Sequence, residues 1–132
     1  WIHTWSNLDH KEHDCWKSFP LTVHNEVHNE YFPENINSVP AISSYIRETG
    51  PYSVAALSLL PAGCEIQPHI DKNSHGHTCH LPLVSNSNSQ LVVAGETLSL
   101  EQEGELVCFD DSLEHSSSNH GTTDRITLYL KK

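Results

Sequence analysis

The chain has 132 residues, enough for one compact domain and too few for a second of ordinary size. Its formal net charge of −10 repels a phosphate backbone, so nucleic acid is not an expected partner. No apolar run approaches the roughly 20 residues that a membrane-spanning helix needs, so no membrane partner is expected either.

Residues 1–39 are rich in histidine, asparagine, glutamate and aromatic residues and show no sustained hydrophobic period. Pro20 and Pro33 interrupt this stretch, and proline breaks both helices and central strands. We therefore expect an irregular N-terminal cap with a short strand at residues 21–23.

A helix of about ten residues is predicted to follow the cap. Pro40 suits the first turn of a helix, and Ile42, Tyr45 and Ile46 recur at helical spacing. Gly50 then provides a stop signal. This helix is expected to open a second segment, residues 40–132, that forms the core of a single domain.

After the helix, short β-prone segments alternate with turn signals such as Gly63, Gly95 and Gly104. Many short strands at such regular spacing are typical of an antiparallel sandwich or barrel of the jelly-roll type. The predicted strands are residues 53–60, 64–66, 80–84, 90–94, 96–100, 104–109 and 125–130.

The last predicted strand alternates strictly. Arg125, Thr127 and Tyr129 share one face, and the aliphatic residues between them share the other. An arginine on the inward face of a strand is costly unless an anion meets it. The pattern therefore indicates an anionic ligand.

Eleven histidines exceed all lysines and arginines together, and histidine is the commonest metal ligand. His69 and Asp71 stand two residues apart, so on an extended segment both side chains point the same way. His115 follows a later predicted strand. Two histidines and one carboxylate on one face form the triad that binds non-haem Fe(II). We therefore predict an iron site at His69, Asp71 and His115.

The four cysteines stand far apart without a C-x-x-C motif, which fits neither a zinc ribbon nor a dense disulfide scaffold. We expect reduced, mostly buried thiols in a cytoplasmic protein. These cysteines are Cys15, Cys64, Cys79 and Cys108.

Five short motifs lie between residues 58 and 125. Ser58 lies eleven residues before His69, and His80 lies eleven residues after it. Arg125 lies ten residues after His115. The motifs are Ser58, Pro68-His69, His80-Leu81-Pro82-Leu83, Phe109-Asp110-Asp111-Ser112-Leu113-Glu114-His115 and Arg125. In these motifs the chain from residue 40 onward resembles the aspartyl/asparaginyl β-hydroxylase family of Fe(II)/2-oxoglutarate-dependent dioxygenases.

The resemblance implies a mainly β fold, a double-stranded β-helix (jelly roll, cupin-like) with a short N-terminal helix. It implies that His69 and His115 bind iron. It also implies that Arg125 and Ser58 hold the distal carboxylate of 2-oxoglutarate, and that His80 lies beside the other end of this co-substrate. A planar guanidinium suits a carboxylate because it offers two parallel donors.

Two departures from the family bear on the substrate. Members that act on epidermal-growth-factor-like domains have glycine where this chain has Asp71, whereas relatives that resemble free proline hydroxylases have the full H-x-D motif. The large-domain hydroxylases have arginines just before the position of His80, where this chain has Gly76, His77 and Thr78. We therefore expect a small-molecule substrate such as an amino acid or peptide.

The expected reaction is hydroxylation of that substrate with Fe(II) as the cofactor; 2-oxoglutarate and O2 are consumed together, and succinate and CO2 are the co-products. Three alternatives stay open: a non-catalytic jelly-roll module that binds a metal or ligand, a cupin-like metalloenzyme that does not use 2-oxoglutarate, and a hydroxylase of aspartyl or asparaginyl residues in peptides or proteins. The sequence does not indicate an oligomeric state.

Overall fold

The computed structural model describes residues 2–3, 15–24, 29–70 and 77–132. Within these ranges no helix is long and apolar enough to cross a membrane. The elements are β1 (Ile2–His3), β2 (Lys17–His24), β3 (Asn29–Tyr31), α1 (Pro33–Ser38), α2 (Pro40–Thr49), β4 (Val54–Leu60), β5 (Glu65–His69), β6 (His77–Val84), β7 (Ser89–Val93), β8 (Glu96–Ser99), β9 (Val107–Asp110), β10 (His115–Asn119) and β11 (Arg125–Lys131).

The strands form two antiparallel sheets. The larger sheet has seven strands in the order β1-β2-β4-β11-β6-β9, with β3 paired to β2. The smaller sheet has four strands in the order β5-β10-β7-β8. From β4 onward the chain passes repeatedly from one sheet to the other, which is the arrangement of a double-stranded β-helix. The predicted mainly β jelly roll is confirmed.

One face of the large sheet packs against the two helices. Its core contains Leu57, Leu128 and Leu130, and Ile42 and Ile46 of α2 pack onto them. Because the helix places these two isoleucines on one face, it covers the sheet as the sequence pattern predicts. The predicted helix at residues 40–49 is confirmed.

The opposite face of the large sheet looks toward the small sheet and is polar. Ser58 on β4, Thr78 on β6, and Arg125 and Thr127 on β11 are all buried. Burying so many polar groups is unfavourable unless they bind one another or a ligand. The polarity of this inner face therefore marks it as the place to look for a site.

The N-terminal region is more regular than the sequence suggests. Strand β2 extends over eight residues, joins the large sheet beside β4, and is followed by β3 and α1. Pro20 lies inside β2 where the pairing with β4 shifts register, and such an irregularity accommodates a residue that cannot donate to the ladder. Strand β10 was also not predicted, because its serine-rich sequence has no β-prone pattern.

The expectation of reduced cysteines was wrong. Cys15 is bonded to Cys64 and Cys79 to Cys108, so all four cysteines are in disulfides. The partners are 49 and 29 residues apart in sequence, and only the fold brings them together. Cys79 and Cys108, for example, lie directly opposite each other on β6 and β9.

Candidate functional site

Two of the three predicted metal ligands lie side by side. His69 ends β5 and His115 begins β10, and the two residues are directly opposite each other in the register of the small sheet. Their ring centroids are 4.2 Å apart. His115 is buried, whereas His69 is partly exposed at the strand end. The antiparallel pairing thus brings together two imidazoles that are distant in sequence.

Both rings are held in the same way. Nδ1 of His69 is 2.8 Å from the carbonyl oxygen of Gln67, and Nδ1 of His115 is 2.8 Å from that of Leu113. A carbonyl only accepts, so each Nδ1 carries the proton and donates it. A metal would therefore bind these rings at Nε2. A metal-binding histidine is commonly oriented by such a bond from its other nitrogen.

The third predicted ligand, Asp71, lies outside the described residues. Among the residues that the structure does describe, no group of three His, Cys, Asp or Glu side chains could hold a metal ion. The structure therefore brings His69 and His115 together and leaves the place of Asp71 as a prediction.

A row of rings leads from the histidine pair across the interior. The ring of Phe109 lies 5.0 Å from that of His115 and 5.5 Å from that of His80, and His80 in turn lies 5.6 Å from Tyr129. Burial, followed by the charges of Arg125 and His115, lowers the pKa of His80 to about 3. His80 is therefore neutral at neutral pH, and its enclosed Nδ1 has no hydrogen-bond partner in the described part of the chain.

Arg125 is buried in the interior, as its place on the predicted strand indicated, with only 2% of its surface exposed. Its guanidinium donates to the Ser117 hydroxyl over 2.7 Å and to the Ser118 carbonyl over 3.3 Å. Burial lowers its pKa to about 10, so it is still cationic at neutral pH. Among the described residues no carboxylate lies within ion-pair distance of it. A buried cation with only neutral partners is suited to an anionic ligand.

Ser58 on β4 lies diagonally across the strand pair from Arg125 on β11. It pairs with Thr127 on β11, and Arg125 pairs with Leu60, two residues further along β4. The two side chains therefore share a face in diagonal positions. The Ser58 hydroxyl oxygen accepts a hydrogen bond of 2.7 Å from the indole nitrogen of Trp16.

Trp16 and Thr127 belong to this site and were not predicted. Trp16 packs on the cluster formed by Leu60, Cys64 and Ile66, and nothing in its sequence surroundings indicates this contact. Thr127 is 1% exposed, and its hydroxyl has no hydrogen-bond partner among the described residues. A sequence signal for Thr127 did exist, since it shares the inward face of β11 with Arg125.

The turn that leads into His115 is fixed by two aspartates. Asp110 accepts hydrogen bonds from the backbone N–H and hydroxyl of Ser112, at 3.0 and 2.6 Å. The carboxylate of Asp111 is fully buried, where it accepts from the Thr78 hydroxyl at 2.6 Å and pairs with Lys131 at 2.9 Å. These contacts fasten the end of β9 across β6 to β11.

These residues are chemically suited to bind the iron and the 2-oxoglutarate that the sequence predicts. Two imidazoles whose Nδ1 is bound to a backbone carbonyl would coordinate a metal through Nε2, and imidazole suits iron among other metals. On the same interior, the buried guanidinium and the unsatisfied hydroxyl of Thr127 offer donors to a carboxylate. The His80 ring lies between these two regions, in contact with Phe109 and Tyr129.

Comparison with solved structures supports the fold. The Cupin_2 domain of an XRE family transcriptional regulator from Enterobacter cloacae aligns with a TM-score of 0.55 and 11% identity, over 89% of this chain and 97% of that chain. The Schizosaccharomyces pombe Cnp3 cupin domain gives a TM-score of 0.49 and 17% identity, over 58% of this chain and 53% of that chain. The chain thus spans about half of the Cnp3 domain. At such identities the likeness concerns the fold alone.

The sequence comparisons identify the family. No curated protein matches the chain significantly. The model of the Aspartyl/Asparaginyl beta-hydroxylase family, however, matches residues 1–131, nearly the whole sequence. The match includes the motifs at His69, His80, His115 and Arg125, which the fold gathers on one interior. The chain therefore belongs to the aspartyl/asparaginyl beta-hydroxylase family.

Proposed function

We propose that this protein is an Fe(II)/2-oxoglutarate-dependent dioxygenase that hydroxylates a small molecule, an amino acid or an amino-acid-like group. One observation carries the proposal: the oriented pair His69 and His115 shares an interior with the buried Arg125, which has no carboxylate partner among the described residues. A metal-chelating dicarboxylate such as 2-oxoglutarate needs both features, one for each end.

His69 and His115 would hold the iron together with Asp71. Bound iron would supply the activation of O2, coupled to conversion of 2-oxoglutarate to succinate and CO2. The contribution of the two histidines is geometric. Because each Nδ1 is bound to a backbone carbonyl, both rings are oriented to coordinate the metal through Nε2.

Arg125 would bind the distal carboxylate of the co-substrate, with the Ser58 hydroxyl completing the site. The Trp16 indole N–H occupies an acceptor position of Ser58, so the Ser58 hydroxyl hydrogen is directed away from Trp16 and toward another acceptor. His80 would lie beside the other end of the co-substrate. Its low pKa keeps it neutral there, and it adds no positive charge beside the metal.

The preference for a small substrate rests on the start of β6. In this chain exposed His77 and buried Thr78 stand there, where the large-domain hydroxylases have arginines that grip an acidic substrate. Thr78 is committed to the Asp111 carboxylate. The sequence just before His80 therefore lacks the arginines with which those hydroxylases bind an acidic substrate.

A substrate screen by 2-oxoglutarate turnover tests the proposal. Purified protein with Fe(II), ascorbate and 2-oxoglutarate is offered free amino acids first and peptides second, and O2-dependent succinate is measured. We expect a free amino acid or a close analogue to stimulate succinate formation above the uncoupled level. Stimulation by aspartyl or asparaginyl peptides alone would favour protein hydroxylation, and metal binding without any 2-oxoglutarate affinity would favour a non-catalytic module.

The cytoplasmic location expected from the sequence depended on reduced cysteines. Cytosolic thiols are kept reduced, and stable disulfides are typical of oxidising compartments. The two disulfides remove the basis of that expectation, so an oxidising compartment is the location we propose.

A further inference from the structure

We propose that the two disulfides brace opposite halves of the site, so that metal binding and co-substrate binding each depend on one of them. The inference rests on the proposed function, because it concerns the same metal and the same 2-oxoglutarate. It adds a redox condition to that function: the complete site exists in the oxidised protein.

The Cys79–Cys108 disulfide joins β6 to β9. Strand β9 has only four residues and lies at the edge of the large sheet, with β6 as its strand neighbour. Cys79 and Cys108 are directly opposite each other in this pairing. So short an edge strand has few ladder hydrogen bonds, and the disulfide is its covalent tie to the sheet.

Strand β9 carries groups that position the metal-binding pair. Phe109 follows Cys108 and packs against His115 and His80, with ring centroids 5.0 and 5.5 Å away. The strand then continues into the turn whose Leu113 carbonyl holds Nδ1 of His115. Release of β9 would therefore loosen the support and the orientation of His115.

The Cys15–Cys64 disulfide supports the half of the site that contains Ser58 and Arg125. Cys15 directly precedes Trp16, whose indole N–H donates to the Ser58 hydroxyl over 2.7 Å. Cys64 is buried with Leu60 and Ile66, and Cys15 and Trp16 pack onto this cluster. Leu60 is the strand partner of Arg125. This disulfide therefore fixes Trp16 beside the residues proposed to bind the distal carboxylate.

The proposed switch is an ordinary thiol–disulfide exchange. Each S–S bond breaks when two electrons and two protons arrive from a dithiol, which becomes a disulfide itself, and two cysteine thiols form. Access decides which bond reacts first. Cys108 is exposed, whereas Cys64 is 4% exposed, so we expect the Cys79–Cys108 bond to be reduced before the Cys15–Cys64 bond.

Two double variants separate the halves. Cys79→Val with Cys108→Val removes one disulfide and keeps an apolar cross-strand pair, and Cys15→Ala with Cys64→Ala removes the other. Neither leaves its own pair as free thiols, which would bind the probe metal. Co(II) affinity is measured from visible absorption, and 2-oxoglutarate affinity is then measured at saturating Co(II).

We expect the first variant to bind Co(II) about 10-fold more weakly, the usual scale when a group that orients a metal ligand is lost. We expect the second to bind Co(II) normally and 2-oxoglutarate about 5-fold more weakly, the scale of one hydrogen bond. Each variant serves as the control for the other. In the wild-type protein, partial reduction with a dithiol, followed by alkylation of the released thiols and removal of the dithiol, should lower the Co(II) affinity first.

Three results would overturn the inference. Both variants could bind both ligands like the wild type, each variant could lose both affinities equally, or circular dichroism could show that both are unfolded. The last two outcomes would make the disulfides general stabilisers of the fold. If the oxidised wild-type protein binds Co(II) but no 2-oxoglutarate, it is the proposed function that fails.

Discussion

His69 and His115 lie directly opposite each other on β5 and β10, with ring centroids 4.2 Å apart and each Nδ1 bound to a backbone carbonyl two residues earlier in the chain. The same local device therefore orients both rings. The register of the small sheet brings the two rings close together. The hydrogen bonds to the carbonyls place a proton on each Nδ1. Two of the three proposed metal ligands are therefore oriented by the fold itself.

The first prediction concerns these two histidines. His69→Ala and His115→Ala should each weaken Co(II) binding by more than about 100-fold, because each removes a direct ligand. Loss of a group that only orients a ligand weakens metal binding by at most about that factor. Equilibrium titration followed by visible absorption measures the effect. His120→Ala is the matched control, since exposed His120 pairs with exposed Glu65. Equal affinity in all three variants would place the metal elsewhere.

The second prediction concerns Arg125. Arg125→Met should lower 2-oxoglutarate affinity by at least about 30-fold, because removing one partner of a desolvated charge pair costs roughly 2–5 kcal/mol. The same variant should unfold at an unchanged or higher temperature in the absence of ligand, since Arg125 is a buried cation with no counter-charge in the described part of the chain, which is itself unfavourable. Calorimetric titration and thermal unfolding provide the two measurements.

Arg125→Lys separates charge from geometry in that experiment. Lysine keeps the positive charge and loses the planar fork, so its 2-oxoglutarate affinity should fall between those of the wild type and of Arg125→Met. A lysine variant as weak as the methionine variant would mean that the fork alone matters. Unchanged binding in both variants would remove Arg125 from the site.

The third prediction concerns pH. His80 has a pKa of about 3 in the folded protein and about 6.5 in the unfolded chain. Below pH 6.5 the unfolded state therefore binds a proton that the folded state does not, and this difference lowers stability as the pH falls toward 3. Above pH 6.5 the contribution vanishes. The expected slope from this residue is at most about 1.4 kcal/mol per pH unit.

Urea unfolding of the metal-free protein between pH 7.5 and pH 5 measures that slope. His80→Phe keeps a ring beside Phe109 and Tyr129 and cannot titrate, so the variant should lose less stability on acidification than the wild type. Parallel pH profiles for the two proteins would show that His80 is protonated in the folded state as readily as in the unfolded one.

The fourth prediction concerns Trp16. Trp16→Phe keeps an aromatic ring on the cluster of Leu60, Cys64 and Ile66 and removes the N–H that binds Ser58. We expect about 5-fold weaker 2-oxoglutarate binding, the effect of one neutral hydrogen bond, with unchanged Co(II) affinity. Ser58→Ala should weaken binding at least as much. A wild-type affinity for 2-oxoglutarate in Trp16→Phe would mean that the indole of Trp16 contributes only packing.

The sequence anticipates those parts of the structure that depend on local periodicity. The α2 helix follows from the spacing of Ile42 and Ile46, and the burial of Arg125 follows from the alternation of β11. Both patterns depend on which face of a single element meets the core. Strand β10 was not predicted, because His115 and the serines after it form a strand only by pairing between β5 and β7.

Contacts between distant segments could not be predicted in this way. The cysteine partners, the bond from Trp16 to Ser58 and the Asp111–Lys131 pair all join residues far apart in the chain. Spacing rules for cysteine assume local motifs, so they were misleading here. The sequence grouped His69 with His115 as candidate ligands, but their direct pairing across β5 and β10 is supplied by the fold.

Anaerobic titration of the oxidised protein with Fe(II) and then 2-oxoglutarate tests the central claim most directly. Chelation of iron by the 2-oxo acid gives a weak visible charge-transfer band. We predict this band for the wild type, its absence in His115→Ala, and its appearance in Arg125→Met only at much higher 2-oxoglutarate concentration. A wild-type protein that binds Fe(II) and shows no band at any 2-oxoglutarate concentration would contradict the account.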